Sequence, residues 1–265
     1  MNKIALIIGI NYTGTDIQLN GCINDANSLK KLLLEQYGYQ DKNITMLTDD
    51  TAVKPTGHNI IKSMYDIAFR TKHEKIDSMF ISYSGHGSYI YDQNGDEKDR
   101  NDEVIVPLDY KKGGMVTDDI LNHILSYVHE DTKVVALFDA CHSGTILDLQ
   151  YRYISGDCNV KETDVNNVKA DVILISGCRD NQTSADAYSL LKSGKYCGAM
   201  TASFLTTMKK FNFDIPCFKL LKHMRLYLEE KKFDQVPQLT CTFPITQTTA
   251  FSISNKHHRK PFFQT

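Results

Sequence analysis

The chain has 265 residues, of which 42% are hydrophobic and 23% are charged, and its formal net charge at pH 7 is −2. This length suits one large α/β domain or two small ones, and the apolar fraction is ordinary for a globular protein. The nearly neutral balance argues against a nucleic-acid partner, which usually requires a basic surface. No apolar run reaches the roughly 18 residues of a membrane-spanning helix. We therefore expect no nucleic-acid partner and no membrane partner.

The cysteines are odd in number and scattered, without any pair separated by two residues. This pattern indicates reduced thiols in a cytoplasmic environment rather than a disulfide framework. The apolar start of the chain is too short for a signal peptide and lacks a small-residue cleavage pattern, so it is better interpreted as a buried strand. The seven cysteines are at positions 22, 141, 158, 178, 197, 217 and 241.

Apolar runs alternate with amphipathic segments through the first half of the chain. Apolar spacing of three and four residues predicts a helix at 21–37 and a second helix that Thr56 can cap. Thr117 opens a third helix, with Asp118 and Asp119 in the first turn, where negative charge complements the helix dipole. Strands are predicted at 4–10, 44–47, 78–84 and 134–138, with two further short strands around a polar loop within 88–107.

The second half of the chain begins with a polar, aperiodic segment. We interpret this segment, residues 155–170, as a long surface loop and as the best candidate for a subdomain boundary. A strand is predicted at 172–176, amphipathic helices at 199–210 and 216–230, and a last strand at 248–253. This alternation of strands and helices predicts an α/β fold with a mostly parallel central sheet and helices on both faces.

Two of the predicted strands end in reactive or turn-forming residues. Cys141 follows one apolar run, and His86 lies in a glycine-rich turn after a strand that ends at Ser84. Ligands bind beyond the carboxyl ends of parallel strands, and a cysteine needs a base to become a thiolate near neutral pH. Asp139 should share a side with Cys141, because residues two apart on a strand point the same way. A core cysteine and a loop histidine are each commoner alone, but their coincidence favours a catalytic pair.

Several motifs resemble those of the metacaspases, the caspase-like cysteine peptidases of clan CD. His86 lies 55 residues before Cys141, about the spacing of the caspase pair. The two motifs around this pair are Tyr83-Ser-Gly-His-Gly87 and Asp139-Ala-Cys-His-Ser-Gly144. Others follow in the family's order across nearly the whole chain, at Gly21-Cys-Ile-Asn-Asp-Ala26, Asp102-Glu-Val-Ile-Val-Pro-Leu-Asp109, Ile175-Ser-Gly-Cys-Arg-Asp-Asn-Gln-Thr-Ser-Ala-Asp186 and Val236-Pro-Gln-Leu239.

The resemblance implies a caspase-like fold that forms a single peptidase domain over residues 1–265 and is monomeric. Residues 1–154 correspond to a large-subunit-like part with the catalytic histidine and cysteine, 155–170 to the surface loop, and 171–265 to a small-subunit-like part. The short loop between the two parts is similar to the type I arrangement. The sequence begins at its first strand, so we expect a type I-like member without the prodomain common in that group.

The resemblance also implies a role for each catalytic residue. Cys141 would attack the scissile carbonyl and form a thioester, while His86 would assist thiolate formation and protonate the leaving amine. The backbone N–H groups of Gly87 and Cys141 would stabilise the oxyanion; losing one such donor costs on the order of 10²–10³ in rate in a serine protease. No third catalytic carboxylate is evident from the spacing.

Substrate preference follows from acidic residues near the predicted nucleophile. Asp139, with Asp25 assigned by the resemblance, would form an acidic pocket supported by Cys22 and Ser84. Carboxylates there would hold the Arg or Lys of a protein or peptide substrate and would repel the aspartate that caspases select. The alternative is structural: Asp25 caps its helix and Asp139 ends its strand. We expect cleavage after Arg or Lys.

Calcium is the cofactor that the resemblance implies. Four carboxylates, those of Asp102, Asp118, Asp119 and Asp148, match a metacaspase Ca²⁺ site whose occupancy switches activity on. The alternative is a solvated acidic loop beside a favourably charged helix start.

Self-processing is a further prediction for the surface loop. Lys161 and Lys169 lie in this polar loop and match the expected specificity. An exposed lysine in a polar loop is unremarkable by itself, so the prediction depends on the specificity.

Two other functions remain open from the sequence. One is another cysteine hydrolase on an α/β sheet, although the Gly-x-nucleophile-x-Gly elbow of one such group is not met, because Asp139 occupies the place of its first glycine. The other is a catalytically silent relative that binds peptides or partners. The presence of both Cys141 and His86 argues against that function.

Overall fold

The structure is a computed structural model, which describes residues 2–91, 101–141, 143–144, 146–153, 160–162, 167–177, 186–188 and 196–253. Its strands are β1 Lys3–Gly9, β2 Ile44–Thr48, β3 Ser78–Ser84, β4 Gly87–Tyr91, β5 Asn101–Ile105, β6 Val116–Thr117, β7 Lys133–Asp139, β8 Tyr151–Tyr153, β9 Val160–Glu162, β10 Asp171–Ser176, β11 Asp186–Tyr188, β12 Tyr196–Gly198, β13 Ile215–Pro216, β14 Gln238–Cys241 and β15 Ala250–Phe251. Its α-helices are α1 Cys22–Gln36, α2 Gly57–His73, α3 Tyr110–Gly113, α4 Asp118–Leu125, α5 Ala199–Lys210 and α6 Cys217–Glu230.

The central sheet has eight strands in the order β2-β1-β3-β7-β10-β14-β8-β9. The five strands from β2 to β10 pair in parallel, and the three pairs from β10 to β9 are antiparallel. All seven residues of β3 are buried, as expected for a parallel strand covered on both faces. The structure confirms the predicted α/β fold with a mostly parallel sheet and helices on both faces.

Side chains of the sheet alternate between two apolar cores. Ile4, Leu6 and Ile8 of β1 pack into one core, together with apolar residues of α2 and α4. Ala5 and Ile7 point into the other core, which also contains apolar residues of α1, α5 and α6. The period-two alternation of a strand therefore supplies both cores from a single apolar run.

The helix starts agree with the predicted caps. The Thr56 hydroxyl accepts a hydrogen bond from Asn59 N–H at 3.2 Å at the start of α2, and Thr117 accepts one from Ile120 N–H at 3.4 Å at the start of α4. Each threonine satisfies a backbone donor that has no partner within its helix. Among the described helices, none is both long enough and apolar enough to cross a bilayer.

The sequence missed several short elements. The segment 155–170, predicted as a loop, contains β9, which pairs with β8 at the edge of the central sheet. The predicted strand at 248–253 is reduced to β15, which pairs with β13 outside that sheet. The central sheet contains β14 instead, which was not predicted because its sequence, Gln-Leu-Thr-Cys, lacks an apolar run. Strands of two to four residues carry too little periodicity to be recognised.

Candidate active site

His86 and Cys141 follow the ends of neighbouring parallel strands. Ser84, the last residue of β3, pairs with Asp139, the last residue of β7. The Gly85 N–H donates to Asp139 O at 3.3 Å, so the two chains remain side by side beyond the strand ends. His86 and Cys141 each lie two residues past this pair, and both are half-buried. The two predicted catalytic residues therefore follow adjacent strands at one edge of the sheet, the edge formed by the carboxyl ends of its parallel strands.

Gly87 brings the main chain of the histidine segment against that of the cysteine. A Cβ atom at Gly87 would lie 2.0 Å from Cys141 O and 3.2 Å from Ala140 Cβ. Real Cβ atoms do not approach backbone atoms this closely, so only glycine fits at this position. This contact joins the start of β4 directly to the turn that carries Cys141.

The β4–β5 ladder fixes the direction of the Gly87 N–H. Val106 N–H donates to His86 O at 3.1 Å, which makes residues 86 and 106 a hydrogen-bonded pair. Hydrogen-bonded and non-hydrogen-bonded pairs alternate along an antiparallel ladder. Gly87 and Ile105, the next pair, are therefore non-hydrogen-bonded, and the Gly87 N–H points away from β5. This orientation suits the oxyanion donor predicted at Gly87.

The His86 imidazole is held by a main-chain carbonyl. Its Nε2 atom lies 2.8 Å from Ile17 O. A carbonyl only accepts, so Nε2 carries the hydrogen and Nδ1 of the neutral ring is left as the basic nitrogen. Ile17 is a functional residue that the sequence missed, because a carbonyl contact does not depend on the side chain. The Ile17 carbonyl therefore fixes the orientation of the imidazole ring.

The two acidic residues predicted to bind substrate both lie next to Gly198. Asp25, on α1, and Asp139 are 1% and 4% exposed. A Cβ atom at Gly198 would lie 2.7 Å from the Asp25 Oδ2 atom and 2.1 Å from the Asp139 Oδ2 atom. The structure therefore brings the two carboxylates to one place.

The start of α5 supplies hydrogen bonds to both of these carboxylates. The Gly198 N–H lies 3.1 and 3.0 Å from the two oxygens of Asp25. Thr201 donates to Asp139 Oδ2 from both its N–H and its hydroxyl, each at 2.9 Å. Gly198 and Thr201 were not predicted as site residues. They contact residues that are distant in the sequence, so no local sequence pattern indicates them.

Cys22 and Ser84 belong to the same edge of the sheet. Gly9, the last residue of β1, pairs with Ser84, which pairs in turn with Asp139. A Cβ atom at Gly9 would lie 2.4 Å from Cys22 O, so α1 begins directly against this row of strand ends. Cys22 and Ser84 are both buried. The five described cysteines are thiols rather than disulfides.

A separate carboxylate group lies at the start of α4. Oxygen atoms of Asp118, Asp119 and Asp148 lie within 4.8 Å of one another. Asp118 accepts hydrogen bonds from Glu103 N–H at 2.7 Å and from Asp119 N–H at 2.9 Å. Asp102 is buried beside Glu103 on β5 but is outside this three-carboxylate group. The close oxygens fit a hard cation, which prefers several oxygen ligands.

An α/β sheet that presents a cysteine and a histidine at adjacent strand ends is the architecture of a caspase-like cysteine peptidase. The sequence model of the family described as metacaspase, peptidase C14 domain, matches residues 3–150, more than half of the chain. The chain belongs to the metacaspase family. This result confirms the resemblance found in the motifs and excludes the alternative of an unrelated α/β cysteine hydrolase.

Curated relatives and solved structures agree with this assignment. The chain is 36% identical to Metacaspase-1 of Debaryomyces hansenii over 91% of its own length, and 35% identical to that of Cryptococcus neoformans over 94%. It spans 65% and 64% of these two relatives, a little under two thirds.

Two solved structures extend the comparison to the fold. A crystal structure of a Geobacter sulfurreducens protein matches with a TM-score of 0.65 and 25% identity, over 93% of this chain and 95% of that one. The structure of pro-sf-caspase-1 matches with a TM-score of 0.53 and 13% identity, over 90% of each chain. At that identity the second likeness shows the fold alone, and the fold is caspase-like.

Proposed function

We propose that this chain is a cysteine endopeptidase that cleaves proteins or peptides after Arg or Lys. The observation that carries the proposal is the common position of the Cys141–His86 pair and the Asp25–Asp139 pair at one edge of the sheet. A nucleophile, a base and an acidic pocket at one edge are what hydrolysis beside a cationic residue requires.

The reaction can be followed from these groups. The His86 Nδ1 atom accepts the thiol proton, and the Cys141 sulfur attacks the scissile carbonyl carbon. The Gly87 N–H, directed away from β5, stabilises the oxyanion. The tetrahedral intermediate collapses to a thioester as the leaving amine takes the proton from the imidazolium. A water molecule then attacks the thioester, with His86 as the base, and restores the thiol and the free acid.

The acidic pair favours a cationic residue before the scissile bond. The two buried carboxylates already accept hydrogen bonds from N–H and O–H donors, which fix their direction. A guanidinium or ammonium group would add charge-assisted hydrogen bonds to them, whereas a substrate carboxylate would be repelled. An arginine can bind two oxygens at once, which favours it over lysine at a pair of carboxylates.

Peptide reporters that differ only in the residue before the scissile bond test this preference. We expect kcat/KM to be at least about 100-fold higher for Arg or Lys than for Asp, since like charges in a buried site cost several kcal/mol. Asp139→Asn should reduce this ratio, whereas Asp50→Asn, a change at an exposed acid, should preserve it. Comparable turnover of the Arg and Asp reporters would reject the preference.

A thiol-reactive peptide probe separates the enzyme from a catalytically silent relative. We expect labelling at Cys141 that is lost in Cys141→Ala and slowed in His86→Ala, because the thiolate depends on the imidazole. A silent peptide-binding protein would bind the probe without this dependence on His86.

Calcium binding at the start of α4 is a second part of the proposal. Asp118, Asp119 and Asp148 would supply carboxylate oxygens. Asp102, buried on β5 outside this group, is the fourth carboxylate of the proposed site. The bound ion would neutralise this cluster and switch activity on, as in the family site that these residues resemble. Calorimetry with Ca²⁺ should show binding that Asp118→Asn weakens about tenfold or more, while Asp50→Asn leaves it unchanged. Full activity in a chelator would reject the switch.

Other expectations remain predictions about the whole protein. Self-cleavage is proposed at Lys161 or at Lys169, which is exposed; the side chain of Lys161 lies outside the described residues. Intact mass before and after Ca²⁺ addition, compared with Cys141→Ala, tests it. A monomeric state and a cytoplasmic location are also proposed, the latter from the reduced thiols.

A further inference from the structure

Two buried tyrosine hydroxyls interact with the main-chain pair that positions His86. A hydrogen-bonded pair in an antiparallel ladder exchanges two N–H···O bonds. Val106 N–H makes one of them, to His86 O at 3.1 Å. In place of the reciprocal bond, His86 N–H donates to the Tyr12 hydroxyl at 3.0 Å, and that hydroxyl donates to Val106 O at 2.6 Å. The Tyr12 oxygen therefore replaces one direct bond of the ladder.

The Tyr83 hydroxyl lies beside the same pair. Its oxygen is 2.7 Å from His86 O, 3.2 Å from Val106 N, 3.1 Å from Val106 O and 3.1 Å from the Tyr12 hydroxyl. A hydroxyl has one hydrogen, so Tyr83 donates to one carbonyl at a time. All four polar main-chain atoms of His86 and Val106 thus lie within hydrogen-bond distance of a tyrosine hydroxyl.

Tyr12 also contacts the imidazole and the turn that holds it. The ring centroids of Tyr12 and His86 are 4.9 Å apart. Tyr12 O accepts from Thr15 N–H at 3.1 Å and from the Thr15 hydroxyl at 2.7 Å, and this hydroxyl accepts from Ile17 N–H at 3.3 Å. Ile17 is the residue whose carbonyl binds His86 Nε2. Tyr12 keeps these contacts at φ 51°, a left-handed conformation that non-glycine residues seldom adopt unless their surroundings impose it.

The two phenols are fixed in one state and in one place. Both tyrosines are 0% exposed, and burial raises the pKa of each phenol above its ordinary value, so both stay neutral. Gly85 leaves the space that the hydroxyls occupy. A Cβ atom there would lie 2.7 Å from the Tyr83 oxygen and 3.0 Å from the Tyr12 oxygen. The residue before His86 therefore has to be small for the hydroxyls to reach the main chain.

We propose that Tyr12 and Tyr83 are positioning residues for His86. The two tyrosine hydroxyls hold the imidazole in register with the Cys141 thiol, that is, in the position from which it can accept the thiol proton. This inference rests on the proposed function, because the reaction is what makes the register matter. Neither hydroxyl has a role in the bond-making steps. Without the Tyr12 oxygen, His86 N–H and Val106 O can close to a direct bond of about 2.9 Å, which moves the His86 main chain on the order of 1 Å.

Conservative substitutions with a matched control test this inference. Tyr12→Phe and Tyr83→Phe each remove one hydroxyl and keep the ring. Tyr153→Phe is the control, because Tyr153 is also 0% exposed and its hydroxyl accepts from Ile245 N–H at 2.9 Å, but it packs in the other core. The measurements are kcat and KM for an Arg reporter, the thermal midpoint, and the rate of Cys141 alkylation by iodoacetamide between pH 5 and pH 9, followed by peptide mass.

We expect Tyr12→Phe to lower kcat about tenfold with KM nearly unchanged, since a shift of about 1 Å in a catalytic group is costly. The pH profile of Cys141 alkylation should move toward that of His86→Ala. Tyr83→Phe should act in the same direction, and it tests the same pair if Tyr12→Phe does not fold. Tyr153→Phe should keep the wild-type kcat and alkylation profile even if its thermal midpoint falls.

Two outcomes would overturn the inference. One is a wild-type kcat and alkylation profile in both Tyr12→Phe and Tyr83→Phe. The other is an equal loss of kcat in Tyr153→Phe, which would show that the loss of kcat follows from general destabilisation of the fold. A wild-type protein that cleaves no peptide would instead reject the proposed function. The alkylation profile would still report whether Tyr12 determines the position of His86 relative to Cys141. An alkylation profile unchanged by His86→Ala would overturn both.

Discussion

Gly198→Ala is the substitution that tests the acidic pocket most directly. The backbone at Gly198 has φ −66°, which alanine adopts without strain, so the only obstacle is the space for one methyl group. That methyl would lie 2.1 Å from the Asp139 Oδ2 atom, whereas real contacts stay beyond 3.0 Å, so the oxygen has to move by about 0.9 Å.

The hydrogen bonds of Asp139 set the size of the effect. Its two bonds from Thr201 are 2.9 Å long, and such bonds weaken beyond about 3.2 Å, so a shift of this size breaks at least one of them. A hydrogen bond to a charged group contributes about 1.5–3 kcal/mol, so we expect a comparable loss in the free energy of unfolding. Displacement of a binding group by this amount should lower kcat/KM for an Arg reporter about 100-fold.

Gly57→Ala is the matched control for this experiment. It adds the same methyl group at the start of α2, where the nearest atom, Pro107 Cγ, would be at an ordinary contact distance of 3.5 Å. Reporter kinetics and urea unfolding of both variants give the comparison. A Gly198→Ala protein with kcat/KM within about threefold of wild type and with unchanged stability would refute the reasoning about the pocket.

Three further predictions concern other parts of the fold. Gly87→Ala should abolish reporter cleavage, because its methyl would lie 2.0 Å from Cys141 O; reporter activity near the wild-type level would contradict this. Thr56→Ala should lower the free energy of unfolding by about 1 kcal/mol in urea, through loss of a helix cap, with kcat unchanged. The free energy of unfolding should fall above pH 10, because burial raises the pKa of Tyr12 and Tyr83 and only the unfolded state then releases their protons. Each tyrosine adds about 1.4 kcal/mol per pH unit, so replacing both with Phe should make the slope shallower.

The sequence was sufficient to predict the elements whose signals are long or local. The largely apolar runs of β1, β3 and β7 predicted the parallel part of the sheet, since a strand buried on both faces is mostly apolar. The sequence did not predict the antiparallel strands β14 and β8, because they have only four and three residues. Such strands are stabilised by their neighbours in the sheet rather than by their own pattern.

The residues of the candidate site also fall into two groups, those that the sequence predicts and those that it does not. Cys141, His86 and Asp139 could be predicted, because each lies at or just past the end of a recognisable strand. Ile17 and Gly198 could not, because they act through a carbonyl and through an N–H that any residue carries. Predicting those contacts requires the fold, which alone brings the segment after β1 and the start of α5 to this edge.

Tyr12 shows why this second group matters for the chemistry. A cysteine peptidase needs an imidazole with one defined basic nitrogen, and here no described carboxylate is seen to orient the ring. The orientation depends instead on main-chain atoms, and main-chain atoms are only as fixed as their own hydrogen bonds. Because Tyr12 binds His86 N–H and also begins the turn that carries the Ile17 carbonyl, a single buried residue constrains both the main chain and the ring of His86, the proposed catalytic base. A change in this tyrosine should therefore alter the rate of the reaction more than the stability of the fold.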